Sequence, residues 1–324
     1  MIKILSIDGG GIRGIIPAMV LAEIERRTKR STASLFDLIA GTSTGGILAL
    51  GLSVPKAPKA PLYTASQMME MYAREGSRIF SRGFSHRAAA CGNLWRAKYS
   101  KIGIEQVLLE YFGDAHLRDA ATDLLIAAYE IERSFPFFFR SAIARERPDY
   151  DFLIREVARA TSAAPTYFEP MKLPSGTFTD HYTLIDGGVF ANNPAACALV
   201  EARTTYPDAT DFLIVSLGTG ELNSCLPYEE ARNWGVAQWA KPVLDVVFDG
   251  VSRTVDYQLR QLLPGTSAGC QRYYRFQTTL DQHNHKLDNT SPGNITALKA
   301  LSYNLVERES AVIDQLCKKL LKED

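Results

Sequence analysis

No stretch of the chain approaches the ~18 consecutive apolar residues that a membrane-crossing helix needs, so no transmembrane helix is expected. There is no net charge either, since 36 lysines and arginines balance 36 aspartates and glutamates. That balance gives no general electrostatic reason to seek nucleic acid or a membrane surface, and no nucleic-acid partner is expected. Cysteine is sparse. Cys91, Cys197, Cys225, Cys270 and Cys317 are widely spaced, odd in number and without a CxxC pair. This excludes a disulfide framework and favours reduced thiols in a cytoplasmic setting. No metal and no cofactor are expected. Met1–Ile7 is too short an apolar run for a secretory signal, and no internal repeat or low-complexity segment occurs. Histidine is scarce too, with five in 324 residues, which limits the candidates for a catalytic base.

What is present is ample core material. Hydrophobic residues make up 46% and charged residues 22% of the chain, the profile of a globular protein. The pattern turns on one stretch, Asp37 to Leu48. An apolar run over Leu35 to Ala40 reads as a short buried strand, and Ile47 to Leu52 as the start of an apolar helix. Between them lies Gly41-Thr-Ser43-Thr-Gly45, the GxSxG pattern of a nucleophile elbow. A serine at the tip of so sharp a turn is exposed, with the first N–H groups of the helix nearby to hold negative charge. Gly41 and Gly45 let strand and helix approach closely. The alternative is a glycine-rich turn with an incidental serine.

Ile2 to Ile7 reads as another buried strand, followed by Asp8-Gly9-Gly10-Gly11-Ile12-Arg13-Gly14. Ile16, Val20, Leu21 and Ile24 then share one helical face, with Pro17 in the first turn. The loop also matches the dinucleotide fingerprint GxGxxG, which needs an acidic residue at the end of the second strand. Asp37 comes before its strand instead, so the loop is better read as an anion nest of N–H groups, with Arg13 adding positive charge.

Gly76 to Ile104 contains no acidic residue but holds Arg78, Arg82, Arg87, Arg96, Lys98 and Lys101, interleaved with Phe80, Phe84, Trp95 and Tyr99. Two readings stand. One is a flap meeting anionic headgroups, which would make the protein peripheral at a membrane. The preferred one is a loop whose aromatics fold back onto the core and whose basic groups pair with acids elsewhere.

Helices are expected at Gln67–Ala73, Ile104–Tyr111, Phe152–Thr161, Pro194–Tyr206, Val243–Leu263 and Ala297–Leu321, the fourth capped by Asn192 or Asn193. Strands are expected at Leu124–Tyr129, Phe135–Phe139, Tyr182–Ile185, Phe212–Leu217 and Tyr273–Gln277. Pro136 points to an edge position or a strand start. The alternation implies one α/β domain over residues 1–324, with the core motifs in 1–220 and an extension over 221–324. Three glycine turns follow strand candidates: after Ile7, around Ser43, and at Asp186-Gly187-Gly188. In a parallel sheet such turns gather at the carboxyl edge. Asp186 is then either a turn residue or the base for Ser43.

Asp8-Gly-Gly-Gly-Ile-Arg-Gly14, Gly41-Thr-Ser-Thr-Gly-Gly46 and Asp186-Gly-Gly188, with Ser162-Ala-Ala-Pro-Thr-Tyr-Phe168 ahead of the last, resemble the motif set of the patatin-like phospholipases. The resemblance covers residues 1 to about 220, and Tyr273 onward is similar too. It implies an α/β fold with a mainly parallel central sheet sandwiched by helices. It also implies calcium-independent hydrolysis of fatty acyl esters of membrane glycerolipids by a Ser-Asp dyad. Carried over residue by residue, Ser43 is the nucleophile, Asp186 the base, and Gly9, Gly10, Gly11 and Arg13 the oxyanion region. Two other roles stay open on the same fold: an anti-phage effector switched on by a cyclic nucleotide, with no residue assigned to that activator, and an inactive lipid-binding module. His283 and His285 alone follow Asp186, in the polar stretch Asp281–Pro292, which reads as a surface loop.

Overall fold

A computed structural model describes residues 1–57, 60–81, 97–175, 180–222, 226–239, 242–265 and 271–322. Its centre is a mixed sheet. In spatial order the strands are Tyr273–Phe276, Phe212–Leu217, Ile2–Ile7, Leu38–Thr42, Asp123–Glu130, His181–Asp186 and Met171–Pro174, with Phe135–Arg140 also paired to Asp123–Glu130. The first four pairings are parallel. The pairings beyond Asp123–Glu130 are antiparallel. Pro136, second residue of its strand and exposed, sits where a missing N–H does least harm to a ladder.

The parallel strands are apolar on both faces because both are covered. Successive side chains alternate between faces. Leu5, Ile7 and Ile39 enter the larger core with helices Ile15–Thr28, Ala65–Ile79, Pro292–Arg308 and Ser310–Leu320. Ile4, Leu38 and Ala40 enter a second core with Ala195, Ala198 and Leu199 of helix Ala195–Thr205 and Leu259 of helix Pro242–Leu262. The last expected helix is therefore two, broken at Glu309. The expected Gln67–Ala73 helix is longer, Ala65–Ile79, because Thr64 and Gln67 form a reciprocal capping box at its start. Helix Ala195–Thr205 takes its help from Asn193, whose Oδ1 accepts the Ala195 N–H at 3.1 Å.

Strand Asp123–Glu130 works as a ruler. Along one edge runs Phe135–Arg140. Along the other, Leu38–Thr42 comes up parallel and stops with Thr42 opposite Ala127. On that same edge His181–Asp186 comes down antiparallel and stops with Asp186 opposite Ala128. The two strand tips abut. The parallel-sheet expectation for the third turn is corrected here: Asp186 reaches the carboxyl edge from the opposite direction.

Candidate active site

Ser43 is the residue immediately beyond one strand tip, and Asp186 is the last residue of the other. Ser43 has φ 55° and ψ −123°, a left-handed conformation that costs a non-glycine residue about 1–3 kcal/mol. Packing holds it there. A Cβ on Gly45 would lie 2.1 Å from the Ile7 carbonyl oxygen, and one on Gly41 would lie 2.3 Å from the Gly45 carbonyl oxygen. The Ser43 N–H donates to Thr161 Oγ1 at 2.9 Å, and that hydroxyl donates to the Ala127 carbonyl at 2.6 Å. Thr161 thus ties the Ser43 turn to the ruler strand at the junction of the tips. Thr42 Oγ1 donates to the Ala191 carbonyl at 2.6 Å, tying the serine turn to the turn after Asp186.

The Asp186 side chain is buried, 3% exposed. Its N–H donates to the Ala163 carbonyl at 3.1 Å, so the Ser162–Phe168 run fixes its height. The Gly188 N–H donates to Asp186 Oδ1 at 2.7 Å, and Ser43 and Asp186 line the same cleft. Burial pushes that carboxyl up to about 6, and the nearby Ser43 hydroxyl and the Gly188 N–H restrain the rise.

The glycine loop lies over this pair. The Gly9 N–H is held by the Asn192 carbonyl at 2.9 Å, and Ile12 N–H by the Leu287 carbonyl at 2.8 Å. Among the described residues the Gly10 and Gly11 N–H groups donate to nothing. Of the four residues expected to form an oxyanion region, Gly10 and Gly11 therefore have free donors, and Gly9 does not. Arg13 Nε donates to the Gly10 carbonyl at 3.1 Å, bracing the loop. Below the loop, Asp8 and Arg275 form a bidentate pair at 2.6 and 2.9 Å, both nearly inaccessible to water. Burial works against the Arg275 charge, but the Asp8 carboxylate outweighs it and raises the guanidinium above its ordinary value. Removing one member of such a pair costs about 3–5 kcal/mol.

An apolar cleft opens from Ser43, walled by Ile12, Ile47, Ile79, Phe80, Ile104 and Phe168 among others. Asp37, the acidic residue of the rejected dinucleotide reading, accepts the Lys3 N–H at 2.8 Å, at the start of the Ile2–Ile7 and Leu38–Thr42 strands and so at the opposite end from the glycine loop. No cluster of three or more His, Cys, Asp or Glu that could hold a metal exists among the described residues. Cys197 and Cys317 are free thiols, and the other three cysteines lie outside the described residues.

A family model described as patatin-like phospholipase matches residues 5–199. The chain belongs to the patatin-like phospholipase family. It is 30% identical to patatin-like protein 4 of Arabidopsis thaliana, over 95% of this chain and 84% of that one. It is 33% identical to patatin-like protein 1 of Oryza sativa subsp. indica, over 79% and 69%. It is also 30% identical to the probable inactive patatin-3-Kuras 1 of Solanum tuberosum, over 95% and 87%. The crystal structure of VipD from Legionella pneumophila overlaps 95% of this chain and 67% of its own, at TM-score 0.40 and 10% identity. The family acts on lipid esters. One relative's name carries the word inactive, so turnover by this patatin-like chain has to be argued from its own residues.

Those residues include several that the sequence did not single out. Thr161 read as the end of a helix and Asn192 as a cap, and nothing marked Arg275. The Asp281–Pro292 stretch read as a surface loop, yet Leu287 holds Ile12 and lines the cleft, while Asp288 accepts from Lys98 and from Tyr99 at 2.7 Å. Neither of its histidines lines the apolar cleft. His283 is exposed, and His285 Nδ1 faces the Gln282 carbonyl at 2.7 Å. In the basic segment, Arg78 pairs with Glu75 and Glu110 and Lys101 with Glu169, and Phe80 and Tyr99 pack on Phe168. Arg82, Phe84, Arg87, Trp95 and Arg96 lie outside the described residues. Among the described residues no helix is long and apolar enough to cross a membrane.

Proposed function

We propose that this protein hydrolyses fatty acyl esters of membrane glycerolipids through a Ser43–Asp186 dyad and an acyl-enzyme intermediate. The observation that carries the reading is the placement of Ser43 and Asp186 at two abutting strand tips, both on the wall of one apolar cleft. The acyl chain lies in the apolar cleft with its carbonyl at Ser43. Asp186 takes the hydroxyl proton as Ser43 Oγ attacks the carbonyl carbon. The oxygen that becomes negative is held by the Gly10 and Gly11 N–H groups, with the first N–H groups of helix Thr44–Gly51 close by. Collapse of this intermediate breaks the ester bond, and Asp186 returns the proton to the departing glycerol oxygen. Water then attacks the acyl-enzyme, Asp186 takes its proton, and the fatty acid leaves as the proton returns to Ser43.

A carboxylate is a weak base in water. Burial raises its proton affinity toward neutrality, which suits a base that must act without histidine. Purified protein is expected to release p-nitrophenol from p-nitrophenyl butyrate and to be labelled by a fluorophosphonate, with Ser43→Ala losing both. Labelling that persists in folded Ser43→Ala would overturn the assignment. The cyclic-nucleotide effector and inactive-module readings have no observation in their favour among the described residues.

A further inference from the structure

Beside the catalytic cleft lies a second cavity of about 300 Å³ whose walls are mostly polar. Arg13, Asn192, Phe248 and Leu287 line both spaces, so the two are adjoining compartments of one site. An acyl ester of a membrane lipid has the same two-part character. With the acyl chain in the apolar cleft and the ester at Ser43, the polar remainder of the lipid must go the other way.

Most charges of the polar cavity are paired, although its six carboxylates outnumber its four arginines. Asp8 is paired with Arg275. Asp249 and Glu221 share Arg253, at 2.7 and 3.4 Å. Asp256 takes Arg260 at 2.9 Å and the Tyr273 hydroxyl at 2.9 Å. Glu309, at the rim, faces Arg308 at 3.1 Å, and His285 is turned to the Gln282 carbonyl. Two charged groups on the wall are left without an ion-pair partner among the described residues. One is Arg13, whose Nε is held by Gly10 while neither terminal nitrogen has a hydrogen-bond partner among the described residues. The other is Asp245, an exposed carboxylate in the first turn of helix Pro242–Leu262. They act on each other without touching. Burial pushes the Arg13 guanidinium down to about 10, and Asp245 is the carboxylate that opposes this most strongly.

We propose that this cavity is the headgroup pocket and that it selects a zwitterionic phosphodiester headgroup, phosphate followed by ammonium, as in phosphatidylethanolamine or phosphatidylcholine. The phosphate bonds to the free terminal nitrogens of Arg13, a planar donor pair suited to phosphate. The ammonium lies against Asp245. A headgroup with a negative phosphate and no cation leaves Asp245 unanswered, and an uncharged sugar headgroup leaves both groups unanswered. This rests on the lipid hydrolase reading above, whose substrate class it narrows.

The test uses the full chain with mixed micelles carrying phosphatidylethanolamine, phosphatidylcholine, phosphatidylglycerol or digalactosyldiacylglycerol, with p-nitrophenyl butyrate as an ester lacking a headgroup. The expected kcat/KM is about three- to fivefold higher for one or both zwitterionic lipids than for phosphatidylglycerol, the scale of a solvent-exposed ion pair. Asp245→Asn should abolish that preference, and Asp245→Lys should reverse it in favour of phosphatidylglycerol. Arg13→Gln should lower turnover of all three phospholipids relative to the galactolipid. Equal rates on all four lipids, a preference for the galactolipid, or a zwitterion preference that survives Asp245→Lys would overturn the headgroup pocket while leaving the hydrolase standing. An unchanged phospholipid-to-galactolipid ratio in Arg13→Gln would overturn the phosphate contact. Failure to cleave p-nitrophenyl butyrate as well as every lipid would overturn the hydrolase itself.

Discussion

The apolar cleft at Ser43 and the polar cavity share four wall residues and are built in opposite ways. At Ser43 the chemistry is placed by backbone: two strand tips, two glycine turns and N–H groups whose positions no rotamer can change. In the cavity it is placed by the ends of long side chains on helix Pro242–Leu262, Arg13 and Arg275. A site made of backbone tolerates little change in its glycines, because the atoms that a Cβ on Gly11, Gly41 or Gly45 would strike belong to the main chain. A site made of side chains can be retuned one residue at a time. The first kind suits a reaction common to a family, the second a preference among substrates.

Substitution should separate the two regions sharply. The largest effect is expected at Gly45→Ala. Its Cβ would strike the Ile7 carbonyl at 2.1 Å and approach the Asp8 carbonyl at 2.8 Å, so strand and helix must part. A loss of about 4 kcal/mol or more is expected in urea unfolding, and a protein that unfolds within 1 kcal/mol of wild type would show that the elbow is not held by this contact. Gly10→Ala comes next. Its Cβ would meet the Thr219 side chain rather than main chain, so the fold can adjust but the donors shift. The expectation is a fall in kcat of about 10²–10³ with little change in KM. Retention of full kcat would move the oxyanion site elsewhere.

The third effect is graded by pH. With Asp186 as the proposed base, its ionised form does the work, so kcat/KM should be flat above about 6 and fall about tenfold per pH unit below it. The stability sign is the reverse. The folded carboxyl sits above its unfolded value of 3.8, so its contribution to stability is complete below pH 3.8 and is lost as pH rises through about 6. Asp186→Asn removes that ionisation. It should melt higher than wild type at pH 8, by up to about 3 kcal/mol of stability, and a lower melting temperature would contradict the desolvated carboxyl. The smallest effect belongs to the basic segment. Arg78 is exposed and already paired with Glu75 and Glu110, so Arg78→Ala should change affinity for anionic vesicles by less than about twofold. A larger, salt-sensitive loss in a flotation assay would revive the flap reading.

The same contrast explains what the sequence disclosed. Glycine turns write themselves into the chain, so Gly41, Ser43, Gly45 and Asp186-Gly-Gly188 were legible, as were the apolar strands that carry them. The direction of His181–Asp186 was not, since a six-residue strand reads alike in either sense and only the length of Asp123–Glu130 leaves room for it to enter from outside. Thr161, Asn192, Arg275 and Leu287 act through distant main-chain or carboxylate partners and have no local pattern. The carbonyl of Leu287 could not be foreseen in a stretch whose side chains are mostly polar. Arg13 was placed near the oxyanion, but its free terminal nitrogens became visible only when helix Pro242–Leu262 closed the second cavity.

The central claim is that Asp186, and no histidine, is the base for Ser43. The direct measurement is steady-state hydrolysis of p-nitrophenyl butyrate at pH 8 by wild type, Asp186→Asn and the double variant His283→Ala/His285→Ala, each confirmed folded by its melting transition. The dyad predicts that Asp186→Asn loses nearly all turnover and that the double variant keeps most of it. Collapse of activity in the folded double variant, or near-normal turnover in Asp186→Asn, would contradict it.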